Sequence, residues 1–135
     1  IPMKYYEEKR FPKVAAWNDR RYIKWNFTDY DFLRTLLERM EKHIKHIYEK
    51  VETIIGVTHH LPFECMVRKT DHLPWDFARA YLGSEKIGEL YLHYEKIKLA
   101  ICGHNHRRVM VKKDHVECIS VGSTYNEKVL LSLEI

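Results

Sequence analysis

The 135-residue sequence predicts an α/β fold in which helix–strand units are followed by an antiparallel strand meander. Three observations predict it. Apolar residues recur at three- and four-residue steps from Phe32 to Val51, the pattern of one helix face. Two short apolar runs, residues 53–58 and 98–102, read as buried strands. From Val109 onward apolar residues alternate with a period of two, the pattern of strands with one buried face.

Residues 1–27 are aromatic and basic, with Trp17, Tyr22, Trp25 and Phe27 set among Lys and Arg. Phe11-Pro12 marks a turn or loop, and the alternation Arg21-Tyr22-Ile23-Lys24-Trp25 predicts a short strand after it. Thr28 with Asp31 three residues on makes an acidic variant of the capping box, so a long helix should start there. Its apolar face is Phe32, Leu33, Leu36, Leu37, Met40, Ile44, Ile47, Tyr48 and Val51. His43 and His46 fall on its charged flank among Lys42, Lys45 and Glu49, which reads as a solvated face rather than a chelate.

After the strand at 53–58, residues 61–74 hold two prolines and mixed polarity and predict an irregular loop. Residues 75–81 predict a short helix. Gly83-Ser84 breaks it, with Ser84 capping a second helix whose apolar face is Ile87, Leu90, Tyr91 and Tyr94. Beyond the strand at 98–102, the meander takes Val109 and Val111, then Val116, Cys118 and Ser120, then Val129, Leu131, Leu133 and Ile135. Turns are expected at 112–115 and 122–126.

The length suits one domain with a sizeable core, and 45% apolar with 31% charged residues is ordinary for a soluble protein. No apolar run approaches the roughly 20 residues that span a bilayer, so no membrane role is expected. Ile1-Pro2-Met3 offers neither an initiator methionine nor a signal peptide, and reads like a chain that begins in mid-protein. Cys65, Cys102 and Cys118 are odd in number and share no close spacing, which points to buried thiols in a reduced, cytoplasmic compartment. The net charge of +4 is interspersed and favours anionic substrates only weakly.

Chemistry concentrates in the histidines. Of nine, His72, His93 and His115 lie in loop, helix and turn contexts without a partner nearby. His59-His60 and His104-Asn105-His106, by contrast, each follow directly on a predicted buried strand. In open α/β sheets ligands collect beyond the carboxyl ends of strands, so two such ends can converge on one site. In extended chain, residues two apart point to the same side with α-carbons roughly 6.5 Å apart. His104 and His106 could then grip one metal, or hold two ions about 3.5–4 Å apart. Gly103 before them would let the backbone turn sharply.

Gly103-His104-Asn105-His106 resembles the Gly-His-x-His motif of the calcineurin-like metallophosphoesterases. Thr58-His59-His60-Leu61-Pro62 is similar to their His-His-Pro-Pro-type motif, with Leu61 in place of the first proline. Gly122-Ser123 looks like the end of their Asn-Pro-Gly-Ser loop, while Ser120-Val121 departs from its first two residues. The resemblance implies a metal-dependent hydrolase of phosphomono- or phosphodiesters, nucleic acid among the possible substrates. It implies the C-terminal half of an αββα sandwich, with residues 1–135 as one part of the domain. It implies two divalent transition-metal ions (Mn, Fe, Zn, Ni or Co), with a water or hydroxide between them attacking phosphorus in line. By position, His59 and His104 would ligate the second metal and His106 the first. His60 would line the site as the catalytic candidate, orienting His59 or approaching the phosphate.

The family's earlier motifs, Asp-x-His, Gly-Asp-x-x-Asp and Gly-Asn-His-Asp/Glu, do not occur in this sequence. Two close divalent cations repel strongly, and neutral imidazoles do not offset that charge as a bridging carboxylate would. Asp71, Asp76, Asp114 and Glu64 are the nearest acids in sequence, and none stands at a strand end. The expectation is therefore half a dimetal site, with the N-terminal half supplied by the same gene or a separate chain. Two other readings compete. One is a mononuclear zinc hydrolase using His59, His104 and His106. The other is a non-catalytic module binding nucleic acid or protein through residues 13–27. Between them, residues 13–27 and 61–74 could shape a substrate pocket over the metals.

Overall fold

The computed structural model describes residues 1–134; Ile135, the last residue of the predicted third meander strand, lies outside them. The chain opens with a short helix α1 (Met3–Glu7), a small hairpin of β1 (Arg10–Phe11) and β2 (Ala15–Ala16), and one helical turn α2 (Asp19–Tyr22). Helix α3 (Asp29–Tyr48) follows, then β3 (Ile54–Val57), α4 (Leu73–Ala78), α5 (Glu85–His93), β4 (Ile97–Cys102), β5 (Val109–Lys113) and β6 (Val116–Ser120).

The capping box starts α3 as the sequence predicts. The Thr28 hydroxyl accepts from Asp31 N at 3.1 Å, and the Asp31 carboxylate accepts from Thr28 N at 3.4 Å. These bonds satisfy two groups at the helix start, one of them an N–H that no helical carbonyl reaches. Ser84 caps α5 in turn, accepting from Lys86 N at 3.2 Å.

The main sheet has the order β3-β4-β6-β5. β3, β4 and β6 run parallel, and only β5 is antiparallel, to β6. The predicted meander is therefore corrected. Its first two strands form the expected hairpin, but β6 inserts beside β4, so the hairpin joins a parallel sheet. The third strand does not form: residues 129–134 keep the alternation of burial without pairing with any described strand. The general α/β class holds.

One face of the sheet builds the core. Ile54, Ala100, Cys102, Val116 and Cys118 meet Ile44 of α3 and Ile87 and Tyr91 of α5 in one buried cluster. The other face carries Ile55, Val57, Leu99, Ile101, Met110 and Ile119 by the strand register. Ile119 is fully covered, but Val57 is 71% exposed and Met110 55%. Strands of a parallel sheet are usually apolar on both faces because both are covered.

Two further expectations are revised. Residues 21–25 are not a strand: α2 ends at Tyr22 and an extended stretch follows, with Tyr22 and Ile23 exposed. Their alternation has no sheet to pack on. Residues 61–72 form the expected irregular loop, with one 3-10 turn at Glu64–Met66, but Leu61, Pro62, Phe63, Met66 and Val67 of it are buried. The next helix starts at Leu73 rather than Trp75, because Pro74 fits a helix's first turn, where no amide hydrogen is needed.

Candidate functional site

Backbone pairing continues past the ends of β3 and β4. Thr58 N donates to Ile101 O at 3.0 Å, and Gly103 N donates to His59 O at 3.1 Å. The two histidine motifs therefore leave the sheet side by side. The Thr58 hydroxyl closes the first turn by donating to His60 O at 2.7 Å.

Side by side becomes face to face at the rings. His59 Nε2 lies 3.0 Å from His104 Nδ1, and the ring centres are 4.5 Å apart. His60 stands 4.9 Å from His104 and 5.4 Å from His59, ring centre to ring centre. His104 Nε2 faces Tyr81 O at 3.2 Å. A carbonyl only accepts, so His104 donates from Nε2 and keeps the lone pair on Nδ1, aimed at His59.

The second motif is bent, not extended. His104 and His106 both have left-handed backbone, with φ of 64° and 52°. Asn105 N donates to Gly103 O at 2.8 Å, which closes a three-residue turn around His104 of the rare, strained kind. Left-handed backbone costs a non-glycine residue roughly 1–2 kcal/mol. The expected division of labour is thus reversed. Gly103 does not need the freedom of glycine, since a Cβ there would meet only ordinary contacts at 3.8 Å, and the histidines themselves take the turn. Gly122 does need it: its φ is +85°, and a Cβ would lie 2.4 Å from Arg108 N.

His106 packs edge-on against Tyr125 at 4.8 Å and makes no ring contact with His59 or His104 among the described residues. Among the described residues no three His, Cys, Asp or Glu side chains converge as a metal-binding group. The structure therefore brings His59, His60 and His104 together and leaves His106 beside them as a separate arm. His46 reaches only Lys50, at 3.3 Å, in keeping with a solvated helix flank.

The segment 13–27, offered by the sequence as a wall of the site, reaches the histidines through Trp17. Trp17 stacks on Tyr81 at 5.0 Å and meets His104 edge-on at 5.9 Å. Its indole N–H donates to Asp19 at 3.0 Å. The Asp19 charge is felt weakly at His60, where those of Asp71, Asp76, Asp114 and Glu64 are not, and no carboxylate among the described residues bonds to the histidines. Asp76 and Glu64 are both engaged by Arg79. The aromatic character of residues 13–27 was the only signal for this wall, because nothing local says which strand end it will reach.

Crowding by its neighbours, which removes part of its hydration although the side chain stays exposed, holds His60 below the usual imidazole range; His59 pushes the same way and Asp19 opposes both. His104 is lowered by burial first and then by His60 and His59. Both shifts favour the neutral ring, the form in which imidazole binds metal. The pair also has the right spacing. Two nitrogens each about 2.0–2.1 Å from one ion lie roughly 2.9–3.4 Å apart at ligand angles between right-angled and tetrahedral. The donor set fits two ligands of one ion, with no carboxylate to accompany them.

Compared with known protein families, with curated proteins and with solved structures, the chain gives no match in any of the three.

Proposed function

We propose that this chain supplies the imidazole side of a dimetal phosphoesterase site, in the manner of the metallophosphoesterases its motifs resemble. The observation that carries this reading is the 3.0 Å approach of His59 Nε2 to His104 Nδ1, beyond the carboxyl ends of two parallel strands. In this reading His59 and His104 hold one ion, His106 contributes to the other, and His60 lines the phosphate position. Divalent transition-metal ions, when bound, supply activation of water and neutralisation of phosphoryl charge. The chain's own residues do the rest: Tyr81 O orients His104, the two turns fix the ring spacing, and Trp17 walls the site.

The carboxylates come, in this reading, from a second polypeptide segment that also covers the apolar sheet face. Two observations support that. β3 is an edge strand, and Val57 on it is 71% exposed. Ile55 and Met110 on the same face are exposed as well.

Titration with Mn2+ or Zn2+ tests the reading, using the wild-type chain, His59→Ala, His104→Ala and His106→Ala, with hydrolysis of an aryl phosphate followed in parallel. Weak binding of one ion that disappears in His59→Ala and His104→Ala, without hydrolysis by this chain alone, is expected. Tight binding of a single zinc that needs His106 equally would replace it with the mononuclear site. Binding indifferent to both His59 and His104 would sink it.

A further inference from the structure

Between the two left-handed histidines sits Asn105, whose side chain makes three hydrogen bonds. Asn105 Oδ1 accepts from the Ser120 hydroxyl at 2.7 Å and from Arg107 N at 3.2 Å. Its Nδ2 donates to Met66 O at 3.4 Å. The three partners lie on three different pieces of the fold: strand β6, the loop's own exit, and the buried turn after Pro62. Ser120 is fully buried, the one buried polar residue among those described. A hydroxyl placed there with a single side-chain acceptor ties the loop to the rigid sheet.

We infer that Asn105 is a positioning residue for the histidine site, acting through His104 and His106. The geometry supplies the reason. A turn centred on His104 with φ of 64°, followed by His106 at 52°, does not persist through local preference. It persists where surrounding bonds over-determine it, and Asn105 makes those bonds from the position between the two. The short turn bond from Asn105 N to Gly103 O comes from the same residue. Loss of the side chain leaves Ser120 Oγ buried without its acceptor and frees the loop to relax toward ordinary backbone. His104 Nδ1 would then leave His59 Nε2. Residues that orient metal-ligating histidines typically change metal affinity by about 10–100-fold when removed.

This inference rests on the His59–His104 reading above, and its test separates the two. Asn105→Ala, Asn105→Asp and a control, Ile44→Val, are compared with the wild-type chain by thermal melting, by Co2+ titration and by 15N NMR of the histidine rings without metal. Ile44 lies on α3 in the core and takes part in none of the loop's hydrogen bonds, so its variant serves as the stability control. The expected result for Asn105→Ala is Co2+ binding weakened at least ~10-fold and loss of the single His104 tautomer in the metal-free spectrum. Ile44→Val should melt lower with both signatures intact. Asn105→Asp keeps the acceptor for Ser120 and Arg107 N, loses the donor to Met66 O, and should fall between. Wild-type Co2+ affinity and an unchanged His104 tautomer in Asn105→Ala would overturn the inference. Should Asn105→Ala fail to fold, Ser120→Ala, which removes the buried hydroxyl that ties Asn105 to β6, would overturn it equally by showing both wild-type signatures. If the wild-type chain shows no His59-dependent Co2+ binding, the metal reading falls, and the tautomer spectra still decide the role of Asn105.

Discussion

The ring of Tyr91 presses directly on Gly56: a methyl group at Gly56 would lie 2.6 Å from Tyr91 Cζ and 2.8 Å from its hydroxyl oxygen. Helix α5 and strand β3 approach this closely just before the turn that carries His59. Gly56→Ala should therefore destabilise the chain by about 1–3 kcal/mol through overpacking, read in urea unfolding. Loss of the His59–His104 contact should accompany it.

The same Tyr91 hydroxyl is buried without a well-formed hydrogen bond among the described residues, the Thr58 side chain being close enough to act on it but not to pair with it. A buried hydroxyl without a partner contributes nothing favourable to the fold. Tyr91→Phe should leave the unfolding free energy unchanged or raise it by up to ~1 kcal/mol. A loss greater than that would mean the hydroxyl has a partner in solution.

Stability should fall as the solution is acidified through the imidazole range. His60 and His104 are both held below their usual values, by loss of hydration first. The unfolded chain therefore takes up protons that the folded chain refuses, and stability present above the unfolded value is lost as pH falls through the ordinary imidazole range and below it. Thermal melts across that window should show the decline, and His104→Asn should flatten it. Asp31 adds a second step lower down: the Thr28 hydroxyl and amide hold its carboxyl below the usual range, so its capping contribution fades only at still more acid pH. Thr28→Ala should cost about 1 kcal/mol at neutral pH.

Cysteine labelling should distinguish one thiol from two. Burial pushes Cys102 up to about 11 and Cys118 up to about 12, while Cys65 is exposed. At pH 8 a thiol reagent should modify Cys65 alone in the folded chain, and all three in denaturant. Fast modification of Cys118 without denaturant would contradict the packing of β6.

The exposed edge gives a prediction about association. β3 offers unpaired backbone groups beside Val57, an arrangement that recruits another strand. The isolated chain should self-associate with rising concentration in analytical ultracentrifugation, and Val57→Lys should suppress it while leaving the melting temperature within a few degrees.

Sequence alone determined the parts of this protein whose causes are local. The Thr28–Asp31 box and the apolar steps to Tyr48 specify α3, because capping and periodicity act within one helix. The runs around Ile55 and Ala100 specify β3 and β4, and with them the strand ends where His59 and His104 stand. Tertiary structure decided the rest. Alternation says that a face will be buried but not against what, so it was silent on β6 joining β4 in parallel. For the same reason it gave a strand at 21–25 and a third meander strand that have no partner here. No local rule brings Trp17 to the histidines, since its contact with His104 spans 87 residues of chain and depends on where Tyr81 lies. And the bend at His104 and His106 arises because Asn105 finds Ser120 and Met66 O in three dimensions, hydrogen bonds strong enough together to hold backbone that the residues on their own would avoid.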